Sequence, residues 1–192
     1  MAVITYKRGA GAKLSPHFNS NEFDCKCGKC ANTLIDNVLI TKLENLFTEL
    51  NADKIIVNSG YRCPAHSVAV GGTATDAHTR GIAADITVYV NGSPVKPIIA
   101  AAAAERVGFS GIGLMTNNIH VDVRNANNYV NAHWFGDETT GANVDTFQTD
   151  VSNFVKTIQT YLNAHYKAGL AVDGICGKNT AAALAKYIYK GV

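Results

Sequence analysis

The clearest pattern in the sequence is a run of apolar residues at helical spacing in the first third of the chain. Between Ile35 and Leu50 they recur every three or four positions, which predicts an amphipathic helix packed on a sheet. The β-branched run Lys54–Asn58 predicts a short buried strand. Alternating apolar positions predict two further strands, at Ile82–Val90 and Ile119–Arg124. This alternation leaves Asp85 on the opposite face to the apolar side chains, where a carboxylate needs a partner.

Polar and glycine-rich stretches separate these elements from the two ends of the chain. Residues 1–33 have few periodic apolar positions and many Gly, Lys, Asn and Cys, which predicts an irregular segment. Residues 136–143 are polar and start with glycine, as is typical of a linker. Helical spacing from Phe147 to Leu162, followed by the alanine-rich run Thr180–Tyr189, predicts a small helical module.

These elements predict an α+β fold, with a small, mainly antiparallel sheet flanked by helices, and a small all-α module at the C-terminus. A helix opened by Pro94 and Pro97 and running to Val107 separates two of the strands, without a strict βαβ repeat. The predicted boundaries are a catalytic domain over residues 1–135, a linker over residues 136–143 and the helical module over residues 144–192.

Composition and charge narrow the possible partners. A chain of 192 residues with 47% hydrophobic composition can bury a core, and a net charge of +2 is too weak to indicate nucleic acid. The N-terminus has no apolar region after a basic start, as a secretory signal would have, and no apolar run reaches the roughly 20 residues that span a bilayer. We therefore expect synthesis in the cytoplasm and no membrane insertion.

Candidate chemistry is concentrated on His78, Asp85 and His120. His78 lies seven residues before Asp85, so a loop histidine can reach the same point as a carboxylate on the strand that follows. In the third strand, alternation places His120 with Asp122 and Arg124 on the face away from the core. Two imidazoles and one carboxylate form a catalytic zinc shell that leaves a fourth position for water.

The five cysteines are unevenly distributed, because three form the cluster Cys25-x-Cys27-x-x-Cys30. With Cys63 these thiols have a spacing that suits a second, structural zinc ion. Free thiols, or a disulfide formed after release from a reducing cytoplasm, fit the spacing equally well. Cys176 is expected to fill a small core in the C-terminal module.

Several motifs, in order, resemble successive landmarks of the M15 peptidases, a family of D-alanyl-D-alanine carboxypeptidases and L-alanyl-D-glutamate endopeptidases that includes phage endolysins. The resemblance covers roughly residues 17–135. The motifs that carry it are Ser59-Gly-Tyr-Arg-Cys-Pro-Ala-His66, Val70-Gly-Gly72, the His78 to Asp85 segment, Gly111-Ile-Gly-Leu114 and His120-Val-Asp-Val-Arg124.

The resemblance implies Zn²⁺ bound by His78, Asp85 and His120, with Arg62 near a substrate carboxylate or the developing oxyanion. Many relatives have an acidic residue three positions before the last zinc histidine, where this chain has Asn117. Asp122 is the nearest acidic replacement, so it is the predicted general base.

The C-terminal run Gly169–Thr180 resembles the signature of small helical peptidoglycan-binding domains, which agrees with a wall substrate. Together the resemblances imply a zinc peptidase that acts on bacterial peptidoglycan after release, as a phage-type endolysin does. We expect the protein to be a monomer. The alternative is a zinc-containing wall-binding protein without turnover, which the absence of an acid at position 117 favours. A Hedgehog-like signalling domain is a third hypothesis, and the C-terminal wall-binding signature argues against it.

Overall fold

A computed structural model describes most of the chain. The described residues are 2–115, 117–124, 132–137, 142–143, 150–174, 178–183 and 186–187. Within them the secondary structure mixes strands and helices. The strands are β1 (Val3–Lys7), β2 (Asn32–Asp36), β3 (Lys54–Ser59), β4 (Ala83–Val90), β5 (Ser93–Pro94), β6 (Gly111–Leu114), β7 (Ile119–Asp122), β8 (Ala132–Asp137) and β9 (Ala142–Asn143). The helices are α1 (Asn37–Glu49), α2 (Pro64–Ala69), α3 (Pro97–Arg106), α4 (Asp150–Tyr166) and α5 (Lys178–Ala183).

The N-terminal segment is more regular than its sequence predicts. β1 and β2 pair as an antiparallel ribbon in which Val3 lies opposite Asp36, and a short 3₁₀ helix, Ser20–Phe23, lies between them in sequence. The side chains of β1 are mostly exposed, so this strand has no buried face and no apolar alternation. The prediction of an irregular segment over residues 1–33 was therefore wrong for β1 and for the start of β2.

Helix α1 begins two residues later than the apolar spacing predicts. Asp36 ends β2 and caps the helix, because its side chain accepts a hydrogen bond of 2.7 Å from the backbone N–H of Val38. Ile35 contributes to the same core from the strand instead. The helix buries its apolar stripe in the core through Leu39, Ile40, Leu43 and Leu46.

The main sheet has seven strands among the described residues, in the order β3-β4-β7-β6-β8-β9 with β5 paired to the end of β4. All pairs are antiparallel except β6 with β8. This confirms the α+β fold with a mainly antiparallel sheet. Pro94 lies in β5, so only Pro97 opens helix α3.

The two faces of the central strands differ in chemistry, as their alternation predicts. One face enters the core through Ile82, Ala84, Ile86 and Val88 and through Ile119, Val121 and Val123. The opposite face of the same strands presents Asp85, His120 and Asp122, all of which are buried. This polar face is therefore buried, and its groups must find hydrogen-bond partners within the protein.

The C-terminal part of the chain contacts the predicted catalytic domain. Helix α4 packs against α3 and β8, and Ile158, Leu162 and Ala183 belong to the same core as the central strands. The predicted linker, residues 136–143, has strand pairing at both ends, since Gly136–Asp137 pair with Ala142–Asn143. The division into a catalytic domain and a helical module stays a prediction.

Candidate metal centre

The register of the sheet aligns the candidate ligands in one row. Asp85 on β4 lies opposite His120 on β7, and Ser59 on β3 lies opposite Asp85 from the other side. On β6, Gly113 lies opposite His120. His78 comes from the turn just before β4, so a loop ligand meets two strand ligands.

The ligand atoms of the three residues form a nearly equilateral triangle. The Asp85 Oδ1 atom is 2.9 Å from His120 Nδ1 and 3.2 Å from His78 Nε2, and the two ring nitrogens are 3.1 Å apart. Three ligands of a tetrahedral zinc ion at about 2.0 Å stand about 3.3 Å from one another. The donor set and its spacing therefore fit Zn²⁺, and a tetrahedral ion would keep one position open.

Hydrogen bonds on the far side of each imidazole fix which nitrogen faces this triangle. His78 Nδ1 donates to the backbone carbonyl of Gly60 at 2.7 Å, which leaves Nε2 as the ligand atom. His120 Nε2 donates to Asp122 at 3.2 Å, which leaves Nδ1 as the ligand atom. Carbonyl and carboxylate partners of this kind orient metal-bound histidines and make them stronger ligands.

The charges in the cluster favour the ionised carboxylate. Burial opposes ionisation of Asp85, yet His78 and His120 hold its pKa well below its usual range. Burial also opposes protonation of His120, while Asp122 and Asp85 raise its pKa above the ordinary value. Two carboxylates beside one imidazole thus attract positive charge, whether a proton or a metal ion supplies it.

Comparison with known protein families decides the assignment of the chain. The model of the family described as peptidase M15 matches residues 16–122, which is more than half of the chain. The chain belongs to the peptidase M15 family. Comparisons with curated proteins and with solved structures found no match.

M15 peptidases are zinc-dependent metallopeptidases, and the match includes the whole His78, Asp85 and His120 cluster. The zinc dependence of the family and the geometry of the ligand triangle therefore agree. No helix in the described part of this M15 peptidase is long and apolar enough to cross a membrane.

Arg62 of this M15 peptidase lies directly beside the metal centre. Its guanidinium donates to Asp85 Oδ2, the carboxylate oxygen that does not belong to the ligand triangle, and its Nε donates to Ser59 Oγ at 2.8 Å. The arginine therefore holds Asp85 with Oδ1 turned towards the two histidines. Its role towards a substrate stays a prediction.

Asp122 is surrounded by partners that leave it poorly suited to exchange protons. Its side chain is fully buried, and Arg124 Nε lies 2.9 Å from both of its carboxylate oxygens. Burial raises the pKa of this carboxyl, but His120 and Arg124 outweigh that effect and lower it to about 2. The geometry favours orientation of His120 over the role of general base that the sequence predicts.

A glycine on the neighbouring strand makes room for this carboxylate. A Cβ atom on Gly111 would come within 2.1 Å of Asp122 Oδ2. The Gly111-Ile-Gly-Leu114 motif thus has a physical reason at its first position. Sequence reasoning did not find this role, nor that of the Gly60 carbonyl, because both depend on which backbone lies next to the side chain.

The fold also places Asp76, His133 and Trp134 relative to the site. Asp76 accepts hydrogen bonds from the backbone N–H groups of Thr73 and Thr79 and from the Ser67 hydroxyl, so it stabilises the turn that precedes His78. On β8, the parallel register places Trp134 opposite Gly113 and therefore in the row of His120, while His133 lies opposite Ile112.

The cysteine cluster also comes together in the fold. The Sγ atoms of Cys25, Cys27, Cys30 and Cys63 all lie within 4.8 Å of one another, and each of the four is a free cysteine. The Lys29 backbone N–H and the neighbouring thiols lower the pKa of Cys27 to about 6, whereas burial raises the pKa of Cys25 and of Cys30. Cys176 lies outside the described residues.

Proposed function

We propose that this M15 peptidase hydrolyses a peptide bond in bacterial peptidoglycan, within a stem peptide or a cross-link. The observation that carries the proposal is the convergence of His78 Nε2, His120 Nδ1 and Asp85 Oδ1 at zinc-ligand spacing, inside the segment that matches the family. Zinc bound there supplies a Lewis acid that polarises a scissile carbonyl and activates water.

The chain's own residues would hold this chemistry in place. Gly60 and Asp122 set the two imidazole orientations, and Arg62 fixes the carboxylate of Asp85. An arginine is also the side chain best suited to a substrate carboxylate, through paired N–H donors. We propose that Arg62 meets the carboxylate of the stem peptide, or the oxyanion that develops at the scissile bond.

We propose that the C-terminal part binds the wall and that the whole chain acts as an endolysin-type enzyme. The support for this proposal is a set of hydrogen bonds that holds the turn in the segment resembling a peptidoglycan-binding signature. Gln159 on α4 donates to Asp173 at 2.8 Å and to Thr180 at 3.1 Å, and accepts from the backbone N–H of Gly174 at 3.0 Å. One glutamine thus ties the Val-Asp-Gly turn to both flanking helices.

The competing function is a zinc-containing wall-binding protein without turnover. It is favoured by Asn117, which cannot take a proton, and by the ion pair that occupies Asp122. The two functions differ in whether soluble peptides appear, since both would bind wall and zinc.

The test is mass analysis of fragments that the zinc-loaded protein releases from purified peptidoglycan. We expect new amino and carboxyl termini at one bond type, and fragment masses that identify this bond. His17→Ala is the matched control for the ligand variant His120→Ala, because His17 stacks on Phe47 and pairs with Glu44, away from the site. Wall binding without any released fragment would favour the non-catalytic protein.

A further inference from the structure

The four clustered cysteines have the spacing of a tetrahedral metal–thiolate site. The Sγ atom of Cys27 is 3.3 Å from those of Cys25 and Cys30 and 3.8 Å from that of Cys63, and the Cys25 and Cys63 sulfurs are 3.9 Å apart. Zinc–sulfur bonds of about 2.3 Å in a tetrahedron place the sulfurs about 3.8 Å from one another. A set of four thiols at these distances matches that arrangement.

The backbone around the sulfurs is arranged to stabilise thiolates. The Lys29 N–H points to Cys27 Sγ at 3.4 Å, and the Cys63 N–H points to Cys25 Sγ at the same distance. Gly28 has φ +74°, which lets the chain turn tightly between Cys27 and Cys30. N–H donors aimed at sulfur reduce the cost of ionising the thiols together.

Nearby cations match the charge that such a site would carry. Four thiolates and one divalent ion leave a net charge of −2. The sequence places Lys26 and Lys29 between the cysteines, and Arg8 donates to the backbone carbonyl of Cys25 at 2.6 Å. These three cations offset the excess negative charge that remains after the ion is bound.

We propose that Cys25, Cys27, Cys30 and Cys63 bind a structural zinc ion. This ion would fasten the N-terminal segment to residues 60–63, which contact the ligands of the metal centre. Three of the ligands come from the loop after the 3₁₀ helix. The fourth, Cys63, directly follows Arg62 and occupies the N-cap position of helix α2. The ion therefore joins two parts of the chain that are 33 residues apart at their nearest ligands, Cys30 and Cys63.

The segment held in this way carries contacts that orient the catalytic ligands. Tyr61 donates its backbone N–H to Phe23 at 2.9 Å, and Gly60 packs so closely on Phe23 that a Cβ atom would lie 2.6 Å from its Cα. Gly60 accepts the hydrogen bond of His78, and Arg62 holds Asp85. Loss of the cysteine-bound zinc ion should therefore weaken the hydrogen bonds that orient His78 and Asp85.

The first test is the metal content of the full-length protein after gel filtration in zinc-containing buffer. We expect two zinc ions per chain, one for each cluster. The double variant Cys27→Ser/Cys30→Ser should retain one, and His78→Ala/His120→Ala should retain the other. One ion in the unaltered protein, lost from the histidine variant and retained by the cysteine variant, would overturn the proposal.

Cobalt substitution of the unaltered protein keeps the proposal testable even where a variant fails to fold. Thiolate-to-cobalt charge-transfer absorption should appear in the near ultraviolet and persist in His78→Ala/His120→Ala. Cys176→Ser is the matched control and should keep the band. Absence of the band, iron in place of zinc in the purified protein, or a disulfide among the four cysteines in the freshly purified protein would each contradict the assignment.

Hydrogen exchange tests the fastening role separately from peptidase activity. In Cys27→Ser/Cys30→Ser we expect faster exchange in peptides that cover residues 18–30 and 59–66, including the Tyr61 amide, with little change in the α1 amides. Unchanged hydrogen exchange in both peptides after loss of the cysteine-bound zinc ion would refute the fastening role.

Discussion

The interplay of His120, Asp122 and Arg124 shows how a single strand combines a ligand with its support. His120 presents Nδ1 to the ligand triangle, and Nε2 donates to a carboxylate that Arg124 neutralises. Because alternation along β7 and the two residues that follow it places all three side chains on one face, the sequence alone grouped them correctly. The direction of each hydrogen bond required the three-dimensional structure.

Replacement of Asp122 by asparagine should weaken zinc binding without removing the base of the reaction. We expect zinc affinity to fall by about 10–100-fold, the usual effect of removing a carboxylate partner from a metal-bound histidine. With saturating zinc, the acid limb of the pH–rate profile should remain. Gly111→Ala, which displaces the same carboxylate, should act in the same direction. An acid limb abolished by Asp122→Asn would restore Asp122 as the base.

The low pKa of Asp122 also predicts how stability depends on pH. Since the folded pKa of about 2 is below the ordinary value of 3.8, the ionised carboxylate stabilises the fold above pH 4. This contribution, about 2 kcal/mol, should be lost as the pH falls from about 4 to about 2. Denaturant unfolding of the metal-free protein at several pH values measures it. A slope in Asp122→Asn equal to that of the parent would contradict the prediction.

At the scale of elements, the sequence predicts those with a long buried apolar face and misses strands whose apolar face is short or absent. Helix α1 and strands β3, β4 and β7 lie close to their expected positions because burial imposes a period on their residues. β1 is mostly exposed, so its pairing with β2 leaves no such pattern. Asp85 and His120 could be predicted for the same reason that β4 and β7 could, and His78 from its spacing before Asp85. Their Gly60 and Ser59 supports could not, since they come from the irregular end of β3.

Gly60 is the residue whose substitution should most directly test how the end of β3 packs. In Gly60→Ala, the new Cβ would lie 2.6 Å from Phe23 Cα, so backbone has to move. We expect a loss of about 2 kcal/mol or more of unfolding free energy, together with weaker zinc binding through His78. Gly92→Ala is the control, because its Cβ would meet no atom within 4 Å and only its φ of +74° is unfavourable. Equal effects of the two substitutions would argue against the close contact.

At the scale of the whole molecule, the C-terminal helices share a core with the sheet that carries the ligands. Leu162 is fully buried, so Leu162→Ala should cost about 2–5 kcal/mol and lower the midpoint of a single unfolding transition. Val172, which is 47% exposed, provides the control, and Val172→Ala should have little effect. Two separate transitions, with only one shifted by Leu162→Ala, would instead support the two-domain division at residues 136–143.

The most direct test of the central claim is the release of new amino groups from purified peptidoglycan by zinc-loaded protein, chelated protein and His120→Ala. We predict release by the zinc-loaded protein, and by the chelated protein after zinc is restored, while His120→Ala remains at background. Release that persists after complete zinc removal, or equal release by His120→Ala, would contradict a zinc peptidase built on His78, Asp85 and His120.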